Sequence, residues 1–181
     1  MKKINKEKYR FKKYDDKFIL LFKKERAILR KIIPNLEIEH VGSTSVPGLG
    51  GKGIIDIAIK TNTIEANKIV NKLESIGFES DLEHLRNNNS TYLKKIIKYK
   101  GKERRVHVHL TLNNKFWNSF IVFRDYLKSN KKERDRYNEI KKKASFYAKG
   151  EANKYRAYKK PLIEEIMKKA LKKIKKWKSN S

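Results

Sequence analysis

The sequence predicts a small mixed α/β domain in which the strands come first and helices close the C-terminal third. Two apolar, β-forming runs flank a glycine-rich loop within residues 38–59, and a second pair of strand patterns surrounds Gly101. From Asn114 onward, apolar residues recur with helical spacing. No linker or internal repeat divides the chain, so we expect a single domain over residues 1–181, with a Lys-rich tail from about residue 171.

Each predicted element follows from its local pattern. The alternation in "LEIEHVG" indicates a strand, and the more continuously apolar run "GIIDIAIK" favours a central strand of the sheet. Asn62 is the expected N-cap of a helix, with Glu65 reaching back to it and Gly77 ending it. The predicted elements are, in chain order, a helix over 18–33 that Pro34 stops, strands over 36–42 and 53–60, a helix over 62–77, a hairpin of strands over 91–99 and 104–112, and helices over 115–130, 134–150 and 153–177. Around 79–90 the letters "RNNNS" predict only an exposed loop.

The composition bounds the possible partners. The formal net charge of +27 draws in anions, which include nucleotides, nucleic acid and other polyanions. The 47 basic residues are mostly lysines spread along the chain, whereas sites that read nucleic-acid sequence depend more on arginine forks and stacked aromatic rings. A lysine-rich surface is therefore the preferred interpretation, and nucleic acid stays open as a partner. The sequence has no apolar run long enough to span a membrane, no signal-peptide pattern and no cysteine, which favours the cytoplasm.

The glycine-rich loop can be compared with three phosphate-binding patterns. "GLGGKG" fits G-x-G-x-x-G by its letters, but that pattern requires a helix after the third glycine, and here Gly53 opens a strand. A P-loop requires a glycine where Val46 stands. The nucleotidyltransferase pattern places Gly-Ser at the end of one strand and an acid within the next. Gly42-Ser43 and Asp56 fit it, with twelve residues between Ser43 and Asp56.

That pattern has a chemical reason. Gly42 and Ser43 let backbone N–H groups and a hydroxyl approach phosphate oxygens closely. Asp56, held on a rigid strand, is suited to bind Mg²⁺, which would bridge the same phosphates. Lys52 is predicted to neutralise the phosphates, and Thr44 either contacts them or ties the loop to itself.

Several motifs together resemble the GrpB family, from about Tyr14 to Ala170. The motifs are "IEHVGSTSVPGL", Lys52 with "IIDI", "HVH", "FRDYL" and "KYRAYKK". The family is placed in the nucleotidyltransferase superfamily, and some members are fused to dephospho-CoA kinase. The resemblance therefore implies a small mixed sheet of the nucleotidyltransferase type with flanking helices. One departure is Gly53, where the family usually has proline.

A second acid is missing from the predicted metal site. Active nucleotidyltransferases usually carry it two residues after the first, on the same strand face, and here that residue is Ala58. In "RRVHVHLT" the alternating residues His107 and His109 share one face, at the place in chain order where these enzymes often have a third acid. His109 is a candidate metal ligand or general base. The alternative is a polar strand face exposed to solvent.

Further residues are predicted to support the site. His40 shares a face with Gly42, which makes it the likelier pocket residue of the Glu39–His40 pair, although a buried structural role is equally open. Arg124 is predicted to clamp a phosphate, with Asp125 orienting it; a surface ion pair is the alternative. Lys159 lies one turn after Tyr155, which permits phosphate contact beside a stacked base or simple packing.

The leading hypothesis is a nucleotidyltransferase-fold protein that binds a nucleoside triphosphate with Mg²⁺ and transfers a nucleoside monophosphate to an unknown acceptor. Its catalytic residues would be Asp56 and His109. A non-catalytic module that binds a nucleotide or coenzyme is the main alternative, and Ala58 favours it. An RNA-binding basic protein is the third hypothesis.

Overall fold

A five-stranded mixed sheet forms the centre of the computed structural model, which describes residues 10–80 and 90–179. The strands are β1 (Ile38–Val41), β2 (Ile54–Lys60), β3 (Glu79–Ser80), β4 (Ser90–Tyr99) and β5 (Lys102–Thr111). Their spatial order is β1-β2-β5-β4-β3, in which β2 and β5 run parallel and the other neighbours run antiparallel. β2 is thus central, as its continuous apolar run predicted.

Helices flank the sheet on both faces. They are α1 (Lys17–Ile32), α2 (Thr63–Glu74), α3 (Asn114–Ser129), α4 (Lys131–Ala148) and α5 (Ala152–Ser179). Apolar side chains of α1 and α2 pack on one sheet face with the fully buried Ile55, Ile57 and Ile59. The other face carries Asp56, and there α3 packs through Trp117. None of the helices in the described residues is long and apolar enough to cross a membrane.

Alternation along β2 separates core from site. Because successive side chains of a strand point to opposite faces, burying the three isoleucines directs Asp56 and Ala58 to the α3 side. The register then aligns Asp56 with Val41 on β1 and with His107 on β5. The same hydrophobic pattern that builds the core therefore selects the face on which the acid lies.

The predicted mixed α/β fold is confirmed and its predicted elements are present, with differences at their ends. The short strand β3 was not predicted, because its segment was expected to be part of a loop. Asn62 caps α2 by accepting from the Glu65 N–H at 2.9 Å, and Gly77 has a positive φ of 88° after it. The hairpin connection is only Lys100–Gly101, shorter than predicted, because both residues adopt the positive φ that a two-residue turn requires. The Lys-rich tail continues α5 to Ser179. The predicted exposed loop lies almost wholly outside the described residues.

Candidate functional site

A tight turn brings Gly42 against the Asp56 carboxylate. Gly42 has φ 68° and ψ −167°, a conformation that side-chain-bearing residues rarely adopt, and it leads into a short 3₁₀ turn at Ser43–Ser45. A Cβ at Gly42 would lie 2.9 Å from the Cβ of Asp56 and collide with its carboxylate. The absence of a side chain therefore lets the Gly42–Ser43 turn pack directly against Oδ2 of Asp56.

Two histidines face the other carboxylate oxygen of Asp56. Oδ1 lies 3.3 Å from Nε2 of His109 and 3.6 Å from Nδ1 of His107. Burial alone would raise the pKa of Asp56, but the interactions with His107 and His109 outweigh it and hold the pKa below the usual range. Burial also lowers the pKa of His107, against the opposing effect of Asp56. Asp56 is therefore an ionised carboxylate with one oxygen oriented by imidazoles.

The second half of the glycine-rich loop is a structural junction. Gly51 exchanges two backbone hydrogen bonds with Lys12, at 2.6 and 2.9 Å. The Gly50 N–H donates to Oδ1 of Asn138 at 3.0 Å, and the Gly50 carbonyl accepts from Nζ of Lys141. These backbone groups are engaged within the protein, so contact with a ligand's phosphates falls to the Gly42–Ser43 half.

Lysines from three elements converge on this loop. Lys141 of α4 is buried, and a Cβ at Gly51 would lie 3.1 Å from its Nζ and 2.7 Å from Oγ of Ser43. Nζ of Lys52 and Nζ of Lys159 lie 5.5 and 4.3 Å from the ring centroid of Tyr155. We call Lys52, Lys141 and Lys159 the lysine cluster.

Burial and mutual repulsion lower the pKa values of two lysines in the lysine cluster. Burial, together with the charge of Lys52, lowers the pKa of Lys159 to about 8. Burial and the charge of Lys159 lower the pKa of Lys141 well below that of an ordinary lysine. Asp56 acts in the opposite direction on both. An anion bound between the lysine cluster and the Gly42–Ser43 turn would relieve this repulsion.

His40 lies on the opposite face of the sheet from Asp56. The sequence analysis placed His40, rather than Glu39, on the pocket side, and that prediction is wrong. His40 pairs with Ile57, stacks on Phe22 with ring centroids 4.5 Å apart, and is buried. Burial lowers its pKa to about 4. Thr44 donates to the Ile54 carbonyl at 2.8 Å, so its oxygen accepts from Nε2 of His40 at 3.0 Å. In this arrangement the Thr44 hydroxyl ties the loop to the strand.

Glu39 lies on the Asp56 face and holds Arg124. Nη1 of Arg124 is 2.6 Å from Oε2 of Glu39 and 3.0 Å from the His40 carbonyl oxygen, and Nε is 2.7 Å from Oδ1 of Asp125. Arg124 therefore fastens α3 to β1 in this structure, and its Asp125 partner is half exposed. The predicted phosphate clamp would have to form in place of these bonds.

Residue 58, where active nucleotidyltransferases usually carry a second acid, is buried in this protein. Ala58 is fully buried, with Val41 and Trp117 in the same cluster. Among the residues that the structure describes, no three His, Cys, Asp or Glu side chains are arranged to hold a metal ion. A carboxylate at residue 58 would have to displace the Trp117 indole.

Two features of the site were not predicted from the sequence. Lys141 is one, although it interrupts a stripe of buried α4 residues, Tyr137, Ala144 and Ala148, and that interruption was the available signal. The other is an aromatic border around His109, whose ring centroid lies 5.6 Å from that of Tyr92 and 4.9 Å from that of Phe120. Pairing of β4 with β5 brings Tyr92 to His109 and packing of α3 brings Phe120, and the sequence gives no local sign of either contact.

The fold is nucleotidyltransferase-like. The Cid1 poly(U) polymerase, solved with MgGTP bound, superposes with a TM-score of 0.51 at 21% identity, covering 76% of this chain and 44% of that chain. At that identity the likeness shows the fold alone.

The chain belongs to the GrpB family, whose model, described as GrpB protein, matches residues 8–169. The crystal structure of GrpB from Enterococcus faecalis is similar at 30% identity and a TM-score of 0.75, covering 91% of this chain and 98% of that one. The UPF0157 protein BH1888 of Halalkalibacterium halodurans is 32% identical over 161 residues, which are 87% of this chain and 80% of that protein. The Glutamate-rich protein GrpB of Alkalihalophilus pseudofirmus is 27% identical, covering 81% and 87%.

Proposed function

We propose that this protein binds a nucleoside triphosphate with Mg²⁺ between the Gly42–Ser43 turn, Asp56 and the lysine cluster. It then transfers the nucleoside monophosphate to an acceptor hydroxyl or amine and releases pyrophosphate. The observation that carries the proposal is the convergence of three lysines and one ionised carboxylate on the Gly42–Ser43 turn. Phosphates carry the opposite charge to the lysine cluster, and backbone N–H groups at such turns are donors for them.

The chemistry of Asp56 suits Mg²⁺. Oδ2 lies on the side of the Gly42–Ser43 turn, while Oδ1 faces the two histidines. Mg²⁺ prefers oxygen ligands and usually binds through one or two carboxylates plus substrate phosphates. Bound there, the ion would neutralise charge on the phosphates. His109, proposed from the sequence as a ligand too, has a nitrogen donor that suits Mg²⁺ less than an oxygen.

The protein residues have separate tasks in the proposed reaction. The acceptor oxygen forms a bond to the α-phosphorus, the bond from that phosphorus to the bridging oxygen breaks, and pyrophosphate leaves with the electron pair. The lysine cluster stabilises the negative charge on the leaving group. Asp56 holds His109 with its proton on Nε2, which leaves Nδ1 to accept the acceptor's proton.

A binding-only function is the second candidate, and the burial of Ala58 favours it. A site with one carboxylate would hold the nucleotide without the paired acids that hold two metals in most such enzymes. The two candidates differ in one observable, because transfer releases pyrophosphate and binding does not. The cytoplasm is the proposed location for both, since the chain has no cysteine.

Calorimetric titration of the four common nucleoside triphosphates, with and without Mg²⁺, tests the proposal. We expect Mg²⁺-dependent binding by the unaltered protein and its loss in Asp56→Asn. Asp135→Asn is the matched control, because it removes a half-exposed carboxylate on α4 that pairs with Lys131. Full Mg²⁺-dependent binding by Asp56→Asn, or no binding by the folded unaltered protein, would overturn the site. Pyrophosphate release during acceptor screening then separates transfer from binding alone.

A further inference from the structure

Among the described residues, α3 covers the β1–β2 half of the Asp56 face of the sheet. Val41 and Ala58 lie under Trp117, on the β1–β2 side. On the β4–β5 side the same face continues with residues that alternate along the two strands. We call this set the acceptor face: Tyr92, Lys94, Ile96, Arg105 and His107.

The acceptor face is mostly buried beside Asp56 and exposed on β4. The Asp56 and His107 side chains are 22% and 14% exposed, and Lys94, the cross-strand neighbour of His107, is 57% exposed. Ile96 is 61% exposed, although it is a large apolar residue on a sheet. The face thus runs from solvent on β4 to the half-buried residues beside Asp56.

The residues of the acceptor face offer two kinds of contact. Tyr92 stands at 76° to the His107 ring, with centroids 4.8 Å apart, and Ile96 adds apolar surface. Lys94 follows Tyr92 on the same face of β4, and Arg105 is the cross-strand neighbour of Ile96. Lys94 also lies 3.3 Å from Glu79, an exposed pair that a stronger anion can replace. Aromatic and apolar surface beside cations is the chemistry that binds a nucleobase together with its phosphate.

We propose that the acceptor face binds the acceptor, and that the acceptor is a nucleotide unit whose free hydroxyl reaches His109. This inference rests on the proposed function, because it names the substrate that receives the transferred group. Two sources share this chemistry: a free mononucleotide, and the 3′ end of an RNA strand. The base would pack on Tyr92 and the phosphate would lie near Lys94, while Ile96 and Arg105 lie one pair of residues farther along the two strands.

Binding of two probes, with a non-hydrolysable triphosphate analogue and Mg²⁺ present, tests the inference. The probes are adenosine monophosphate, followed by calorimetry, and a short single-stranded oligoribonucleotide with a free 3′ hydroxyl, followed by fluorescence anisotropy. We expect Tyr92→Ala to weaken probe binding by roughly tenfold or more and Lys94→Gln to weaken it less. Affinity for the triphosphate should stay unchanged in both. The matched controls are Tyr147→Ala and Lys131→Gln, at exposed helical positions.

The possible results separate the hypotheses. Binding of either probe that depends on Tyr92 supports the inference, and the probe that binds identifies the source. Binding that falls with salt but is equal in Tyr92→Ala and Tyr147→Ala would assign RNA to the general basic surface and overturn the inference. If the triphosphate binds and neither probe does, the inference is wrong while the proposed function stands. If the triphosphate itself does not bind, both fail.

Discussion

Oδ1 of Asp56 lies 3.3 Å from Nε2 of His109, on neighbouring parallel strands. The contact leaves Oδ2 of Asp56 for the Gly42 side of the site and orients His109 through one nitrogen. A carboxylate that fixes an imidazole in this way usually sets which nitrogen carries the proton. One acid therefore serves both halves of the proposed reaction.

The first prediction concerns His109. We expect His109→Gln to lower the rate of pyrophosphate release by roughly 10²–10⁴-fold, because the acceptor's proton loses its base. The dissociation constant of the Mg²⁺–triphosphate complex should change little. Rates and calorimetric affinities measured on the same preparation check both statements. A variant that loses Mg²⁺-dependent binding instead would make His109 a metal ligand rather than a base.

The second prediction concerns Gly42. Gly42→Ala should lower the free energy of unfolding by more than Gly101→Ala does, as measured by urea denaturation. Both glycines have positive φ, 68° and 72°, but the ψ of −167° places Gly42 in a region that is essentially confined to glycine, so its backbone cost is the larger one. Gly42 also faces a collision, whereas a Cβ at Gly101 meets no atom within 4 Å. Equal losses in the two variants would show that neither the backbone nor the Asp56 carboxylate penalises a Cβ at Gly42.

The third prediction is that replacing Lys159 stabilises the fold but weakens triphosphate binding. Because burial and Lys52 lower the pKa of Lys159 to about 8, its charge at pH 7 opposes folding. We expect Lys159→Met to raise the free energy of unfolding at pH 7 by about 1–3 kcal/mol and to weaken triphosphate binding at least tenfold. The unaltered protein should also gain stability between about pH 8 and 10, and the gain should be smaller in the variant, where only Lys141 of the buried lysines still contributes to it.

Lys160→Met is the control for Lys159, since its side chain is 74% exposed. It should change neither unfolding nor binding. Equal effects of the two substitutions would mean that net charge, not the lysine cluster, determines both properties. Urea denaturation and calorimetry across this pH range give the comparison.

The fourth prediction concerns His40 and pH. Its pKa is lowered to about 4, so the unfolded chain binds more protons between pH 4 and 6.5, and stability falls as pH falls through this window. Between pH 7 and 5 this group should cost the native state about 2 kcal/mol. We expect His40→Gln, which retains a donor for Thr44, to be less stable at pH 7 but to lose less on acidification. Parallel pH profiles of unfolding in the two proteins would contradict the assignment.

Local patterns in the sequence determined most of the fold. The continuous apolar run of β2 indicated a central strand, the Asn62 cap and Gly77 bounded α2, and the spacing of Ser43 and Asp56 indicated a strand–loop–strand phosphate site. These predictions depend on residues close together in the chain, where periodicity, capping and turn preferences act directly.

Only the tertiary structure decided which side chains meet. The β1–β2 register put Glu39 rather than His40 on the Asp56 face. Packing of α3 then placed the Arg124 guanidinium within hydrogen-bonding distance of the Glu39 carboxylate. Docking of α4 against the loop brought Lys141 to Gly50 across 91 positions of sequence separation. Periodicity specifies the two faces of each strand, but partners distant in sequence are fixed by how helices and strands pack. The Gly42–Ser43 turn of this protein is therefore predictable from its sequence alone, and the lysines and aromatic rings around it are placed by its fold.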